Sequence, residues 1–203
     1  MRLDGKVFAV TGAGSGMGAA IVRLLAQRGA RVVAASDISA KGLELLKESV
    51  AQLRLETEIH TTVLDVTSSS AVEDWIQDIV KTFGDLHGAA NSAGLPQKIG
   101  VRQSPAILEE TDEAWKRVMG VNLDGVFYST RAQIRAMKAL ENPKVDRGIV
   151  NIASMASLKH DPDIYAYRTS KAANAHFSQS VAKDVSNFGI RVNAVSPGMY
   201  TPC

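Results

Sequence analysis

Short apolar runs alternate along the chain with longer stretches in which apolar residues recur every three or four positions. That rhythm predicts strands and helices taking turns. Residues 7–10 read as a first strand ending in Thr11-Gly12, and the helical pattern after it has Ile21, Leu24 and Leu25 on one face. Residues 31–35 form the second expected strand, 41–55 the second helix and 59–65 the third strand. Ser69–Phe83 reads as a helix, with Val72, Ile76, Ile79 and Val80 on one side. A fourth strand over 86–90 ends at Asn91-Ser92-Ala93-Gly94, and a loop over 95–110 leads into one long helix over 112–139. A fifth strand over 148–153, a helix over 165–188 and a sixth strand over Ile190–Val195 complete the pattern. Strands that read as wholly apolar, alternating with helices, imply an α/β fold: a doubly wound parallel sheet with helices on both faces.

Composition narrows the function. A chain of 203 residues, 45% hydrophobic and 22% charged, has the profile of one globular domain, expected to span 1–203. The net charge of +2, with unclustered basic residues, gives no case for nucleic acid or an anionic membrane surface as a partner. Cys203 is the one cysteine, so no intrachain disulfide can form and a reducing, cytoplasmic setting fits. The N-terminus runs directly into a strand pattern with no secretory segment. No apolar run approaches the ~18 residues of a membrane span. Four scattered histidines without carboxylate or cysteine partners predict no metal site. Trp75 and Trp115 fall on helix faces, where packing is the expected role.

Two constellations carry chemistry. Gly12, Gly14, Gly16 and Gly18 fall where the first strand meets the first helix. Glycines there let the backbone turn tightly and approach a pyrophosphate, while the helix N-terminus offers free N–H groups. Asp37, nineteen residues past Gly18 at the end of the second strand, can accept hydrogen bonds from ribose hydroxyls and would repel a 2′-phosphate. Ser15 and Ile38 supply no compensating cation, and Lys41 is the only one nearby in sequence, so NAD is favoured over NADP. A turn or helix N-terminal aspartate is the alternative reading of Asp37. In the second constellation Tyr167 and Lys171, at i and i+4, share a helix face, and Ser154 precedes the tyrosine by thirteen residues. An ammonium beside a phenol favours the phenolate, which can then exchange a proton with an alcohol oxygen that a serine hydroxyl holds. Tyr165 lacks a lysine four residues on, and Ser157 lies three residues nearer the tyrosine.

Taken together, Thr-Gly-x-x-x-Gly-x-Gly at 11–18, Asp65-Val66, Asn91-Ser92-Ala93-Gly94, Asn122, Ser154, Tyr167-x-x-x-Lys171 and Pro197-Gly198 resemble the short-chain dehydrogenase/reductase family over the whole chain. The resemblance implies a Rossmann-type fold and a catalytic set of Asn122, Ser154, Tyr167 and Lys171. Tyr167 would exchange the substrate proton and Ser154 would hold the substrate oxygen. Lys171 would act on the phenol and the nicotinamide ribose, and Asn122 would hold a relay water. It also implies cofactor contacts from Gly12, Ser15, Gly16, Met17, Gly18, Asp37 and Ile38 around the phosphates and ribose. Asp65 and Val66 would meet adenine. Asn91, Ala93 and Gly94 would line the adenosine and ribose region and support the sheet, and Pro197 and Gly198 would frame the nicotinamide. Asp65 as a plain turn residue, and Asn122 as a helix-kink residue bonded to backbone, stay open as alternatives.

The residues 83–89, 125–128 and 135–138 resemble fungal secondary-metabolism members of that family. The family usually continues past the sixth strand with a helix pair and a seventh strand, so the resemblance implies an open sheet edge and a substrate pocket lacking a wall. Two residues, Met199 and Tyr200, separate Pro197-Gly198 from Thr201-Pro202, where the family usually has three; this puts a cofactor role for Thr201 in doubt. The expected activity is hydride transfer between NAD and a small-molecule alcohol or carbonyl. The alternatives are an NADP-dependent ketoreductase or a nucleotide-binding pseudoenzyme. The substrate is expected to lie near the 95–110 loop with Lys98, Arg102 and Gln103. The resemblance further implies a homodimer or homotetramer formed through the two long helices.

Overall fold

The computed structural model of the chain describes residues 2–97, 103–140, 145–160 and 162–198. Six strands pair in parallel in the order β3-β2-β1-β4-β5-β6. They are β1 Val7–Thr11, β2 Val32–Asp37, β3 Glu58–Val63, β4 Gly88–Asn91, β5 Arg147–Ile152 and β6 Ile190–Val195. The helices are α1 Gly16–Gln27, α2 Ala40–Ala51, α3 Ser69–Phe83, α4 Asp112–Met119, α5 Gly125–Ala139 and α6 Tyr165–Val185. Helices α3, α5 and α6 pack a core of Val72, Trp75, Ile76, Ala132, Met137 and Val185 onto one sheet face. Helices α1 and α2 pack Val22, Ala26, Leu43 and Leu46 onto the other. Each βα unit therefore returns to the sheet, and strand order reverses between β1 and β4, where Thr11 and Asn91 are register partners. A crevice must open beyond the carboxyl ends of those two strands.

The strand and helix order agrees with the pattern, and three details differ. The strands are not all apolar on both faces: β3 and β6 lie at the edges and alternate between exposed or half-buried and more buried residues. Only the central positions demand burial on both sides, as β2 shows. Leu24 is half-exposed, and α1 buries Gly18, Ala19, Val22 and Ala26 instead. Small residues there let the helix lie close to the glycine turn, which fixes its rotation. The long helix expected over 112–139 is interrupted at Gly120–Asp124 by a π-helical turn between α4 and α5. One extra residue in that turn rotates Asn122 inward, a common local device at functional sites. Lys98, Arg102, Met199, Tyr200, Thr201, Pro202 and Cys203 lie outside the described residues.

Candidate functional site

A cleft of about 770 Å³ opens at the β1/β4 switch point. Its floor is the turn from β1 into α1. Gly12 has φ +66, and a Cβ there would lie 2.6 Å from the Ala93 Cα. A Cβ at Gly18 would run into the Gly12 carbonyl oxygen. These two positions therefore require glycine so that the turn can pack against the segment after β4 and against itself. Ser15 is the N-cap of α1, yet its side chain makes no capping bond, and the first turn holds no acidic residue. The N–H groups that open α1 are thus left facing the cleft. By contrast α2, α3 and α4 are capped by Ser39, Ser68 and Thr111.

Asp37 closes the far side. Its Oδ2 accepts from the Gly14 N–H at 2.8 Å and its Oδ1 from the Ser39 N–H at 2.8 Å. Each oxygen keeps a lone pair for a ligand. Ser15, Gly16, Met17 and the exposed Ile38 flank it, and Asp65 and Val66 form the opposite lip. Asp65 also makes a turn, its Oδ1 accepting from the Thr67 N–H and hydroxyl at 2.9 and 2.8 Å. Ala93 and Gly94 form the wall, tied to β1 by the Ala93 N–H donating to Thr11 Oγ1 at 3.3 Å. Bare glycines, free helix N–H groups and a carboxylate at the strand end fit a dinucleotide. Lys116 and Arg117 of α4 also line the cleft; they lie too far along the chain for local spacing to have paired them with Asp37.

Asn91, Tyr167, Lys171, Pro197 and Gly198 lie outside that lining. Asn91 is buried beneath the sheet. Its Nδ2 donates to Asn151 Oδ1, Gln133 Oε1 and Thr130 Oγ1 at 2.8, 3.0 and 3.3 Å, and its Oδ1 accepts from Gln133 Nε2. The network continues from Asn151 Nδ2 to Ser178 Oγ and from Ser178 to Asn174, all buried. It ends at the Ile152 carbonyl, which accepts from Asn174 Nδ2 at 3.3 Å and from Lys171 Nζ at 2.7 Å. Sequence reasoning missed Thr130, Gln133, Asn151, Asn174 and Ser178. The available signal was polar residues on the inward faces of α5 and α6 and inside an apolar strand.

Lys171 is only 4% exposed, and burial lowers its pKa from 10.5 to about 8. Its Nζ lies 5.9 Å from the centre of the Tyr167 ring. A Cβ at Gly94 would lie 3.4 Å from Lys171 Nζ and 3.3 Å from Asn122 Oδ1, so the cleft wall abuts both side chains. Asn122 is fully buried. Its Oδ1 accepts from the Leu95 N–H at 2.7 Å, and its Nδ2 donates to the Leu95 carbonyl and to Ser170 Oγ at 3.0 and 3.2 Å. Ser154 follows β5 and caps a short 3₁₀ turn over Met155–Leu158 that packs on α6. Pro197 joins this region through its carbonyl, which accepts from the Met155 N–H at 2.9 Å, and Gly198 lies beside the Met155 side chain. Among the described residues no three His, Cys, Asp or Glu side chains converge on a metal position, and no helix is long and apolar enough to cross a membrane.

The sequence profile of the short chain dehydrogenases matches residues 6–202. The chain belongs to the short-chain dehydrogenase family. It is an oxidoreductase of that NAD(P)-using family, and the resemblance to fungal members stands. It is 57% identical to a chanoclavine-I dehydrogenase of Penicillium roqueforti over 96% of this chain and 74% of that one. It is 54% identical to a chanoclavine-I dehydrogenase of Claviceps purpurea over 97% of this chain and 75% of the relative. Among solved structures it superposes on an NAD+-bound xylitol dehydrogenase with a TM-score of 0.89 and 33% identity, covering 100% of this chain and 74% of the other. A levodione reductase gives a TM-score of 0.88 at 29% identity, with 97% and 72% covered.

Proposed function

We propose that the protein is an NAD-dependent dehydrogenase that oxidises an alcohol of the chanoclavine-I class, with Tyr167 as the general base, and the general acid in reverse. The observation that carries this reading is the meeting of the two half-sites at Gly94: the wall of the dinucleotide cleft lies against Lys171, whose ammonium sits beside the Tyr167 ring. When bound, NAD supplies the carbon that accepts or returns hydride. The free N–H groups of α1 would hold its pyrophosphate, Asp37 its adenosine ribose, and Ile38, Asp65 and Val66 would border adenine.

The chain's own residues handle the proton. Tyr167 takes it from the alcohol oxygen, and Ser154 Oγ holds that oxygen in place. Lys171, with its pKa lowered to about 8 by burial, is still largely an ammonium near neutral pH and sits beside the Tyr167 ring. Asn122 has both ends of its amide committed to Leu95, which supports a positioning role: it locks the loop after β4 against α6. Asp37 favours NAD, because a 2′-phosphate would meet its carboxylate. An NADP-linked reductase has one observation behind it, Lys116 and Arg117 at the cleft. Residues 1–203 work as one dinucleotide-binding unit in a cytoplasmic setting. Two copies associate through α5 and α6, where Phe127, Tyr128 and Phe177 cluster with Arg131 above them. The test is NADH formation from NAD and chanoclavine-I, with NADP in parallel. Turnover with NAD at least ten-fold faster supports the reading, and no turnover with either cofactor contradicts it.

A further inference from the structure

The helix that carries Tyr167 and Lys171 has no cap of its own. Its N-cap position is Ile164, an apolar β-branched residue in the left-handed region at φ 48 and ψ 41, preceded by Asp163 at φ 77. An isoleucine side chain cannot accept a hydrogen bond, and that backbone conformation is strained for a β-branched residue. The N–H groups of the first turn therefore need an acceptor from elsewhere. One comes from the loop after β4. Gln97 Oε1 accepts from the Tyr167 N–H at 3.1 Å, across a sequence separation of 70 residues. This is the third helical position, the one a helix's own capping side chain ordinarily serves. Gln97 is itself held from behind, its Nε2 donating to both Glu110 oxygens at 2.8 and 2.7 Å. All three contacts are partly buried.

We propose that Gln97 and Glu110 are positioning residues that cap the catalytic helix in trans and fix Tyr167 relative to the loop bordering the substrate. The carboxylate polarises the Gln97 amide, which strengthens its oxygen as an acceptor. It also places negative charge near the positive end of the α6 dipole. Strain at Ile164 is held by these contacts, so removing them frees the first turn and lets the phenol drift from its reactive position. Displacement of a reacting group on that scale is enough to lower a rate by about ten-fold.

The catalytic half of this inference rests on Tyr167 acting as proposed; the capping half does not. The experiment measures Tyr167 amide hydrogen exchange, NADH affinity and kcat with chanoclavine-I and NAD in the full chain. It compares wild type, Gln97→Leu, Gln97→Glu and the double variant Gln97→Glu/Glu110→Gln, with thermal unfolding as a check that each is folded. Gln97→Leu removes the acceptor. Gln97→Glu sets two carboxylates against each other. The double variant restores the relay with its partners exchanged, a carboxylate facing the Tyr167 N–H and an amide behind it. The expected result is about ten-fold faster exchange at Tyr167 and about ten-fold lower kcat in both single variants, with NADH affinity unchanged. The second substitution should return both quantities to within about two-fold of wild type. Unaltered exchange in Gln97→Leu, or a double variant no better than Gln97→Glu, overturns the inference. If wild type shows no turnover but exchange follows this pattern, the cap stands and the proposed activity falls.

Discussion

Helices α1 and α6 both begin without a cap from their own N-cap side chains, and the two ends are used in opposite ways. At α1, Ser15 leaves the first N–H groups open toward a cleft walled by bare glycine backbone. At α6, a glutamine from a distant loop closes the third N–H. The first end is open main chain, which the proposed function makes the receptor for an anion. The second is a mount built from side chains, which holds the phenol that the proposed function makes reactive. Proton transfer demands side-chain placement to within a fraction of an ångström, whereas phosphate binding needs only N–H groups and room.

Three substitutions test that contrast, in falling order of effect. Gly18→Ala puts a methyl group into the Gly12 carbonyl, a clash between backbone-fixed atoms that no rotamer relieves. Calorimetry should show a large drop in melting temperature, and titration should find no saturable NADH binding. Normal binding would mean that the turn is not the receptor.

Lys171→Met probes the other end through pH. The lysine's pKa falls from 10.5 to about 8 because burial penalises its charge. Between those values the unfolded chain holds more protons than the folded one, so wild-type stability climbs as pH rises through the window. The total gain is about 3 kcal/mol. Urea unfolding at either end of the window should show that gain in wild type and a flat response in the variant. Parallel curves would contradict burial of the charge. The Ile152 carbonyl keeps Asn174 as a donor, so the variant leaves no orphaned acceptor.

Asp37→Ala gives the smallest effect. It should narrow the preference for NADH over NADPH by about ten-fold, roughly 1.4 kcal/mol. An unchanged ratio would mean that Asp37 does not set the preference.

The same contrast explains what could be read from the sequence. The position of the glycine turn between β1 and α1, and of Asp37 at the end of β2, was legible because that geometry is local: a turn, a strand end and a helix start follow from neighbours. So were Ser69–Phe83 and Ile190–Val195, whose observed bounds agree with the pattern. The side-chain mount was only half legible. The spacing of Tyr167 and Lys171 is local to one helix, but Gln97 reaches Tyr167 only after the sheet brings β4 and β5 together. The chain Asn91–Asn151–Ser178–Asn174 likewise crosses three elements, β4, β5 and α6, and leaves only polar residues among apolar ones as a trace. Leu24 misled because apolar spacing gives a face without saying how the turn before it rotates the helix. The π-helical break at Gly120–Asp124 was invisible to a 3.6-residue period, and the two-sided burial expected of every strand fails at the edges.

The central claim of the proposed function is that Tyr167 moves the substrate proton from a helix whose first turn is held by the loop after β4. Its most direct test is kcat and NADH affinity measured together for Tyr167→Phe. The account predicts a loss of at least about a hundred-fold in turnover with NADH affinity within about two-fold of wild type. Turnover near the wild-type rate would contradict it.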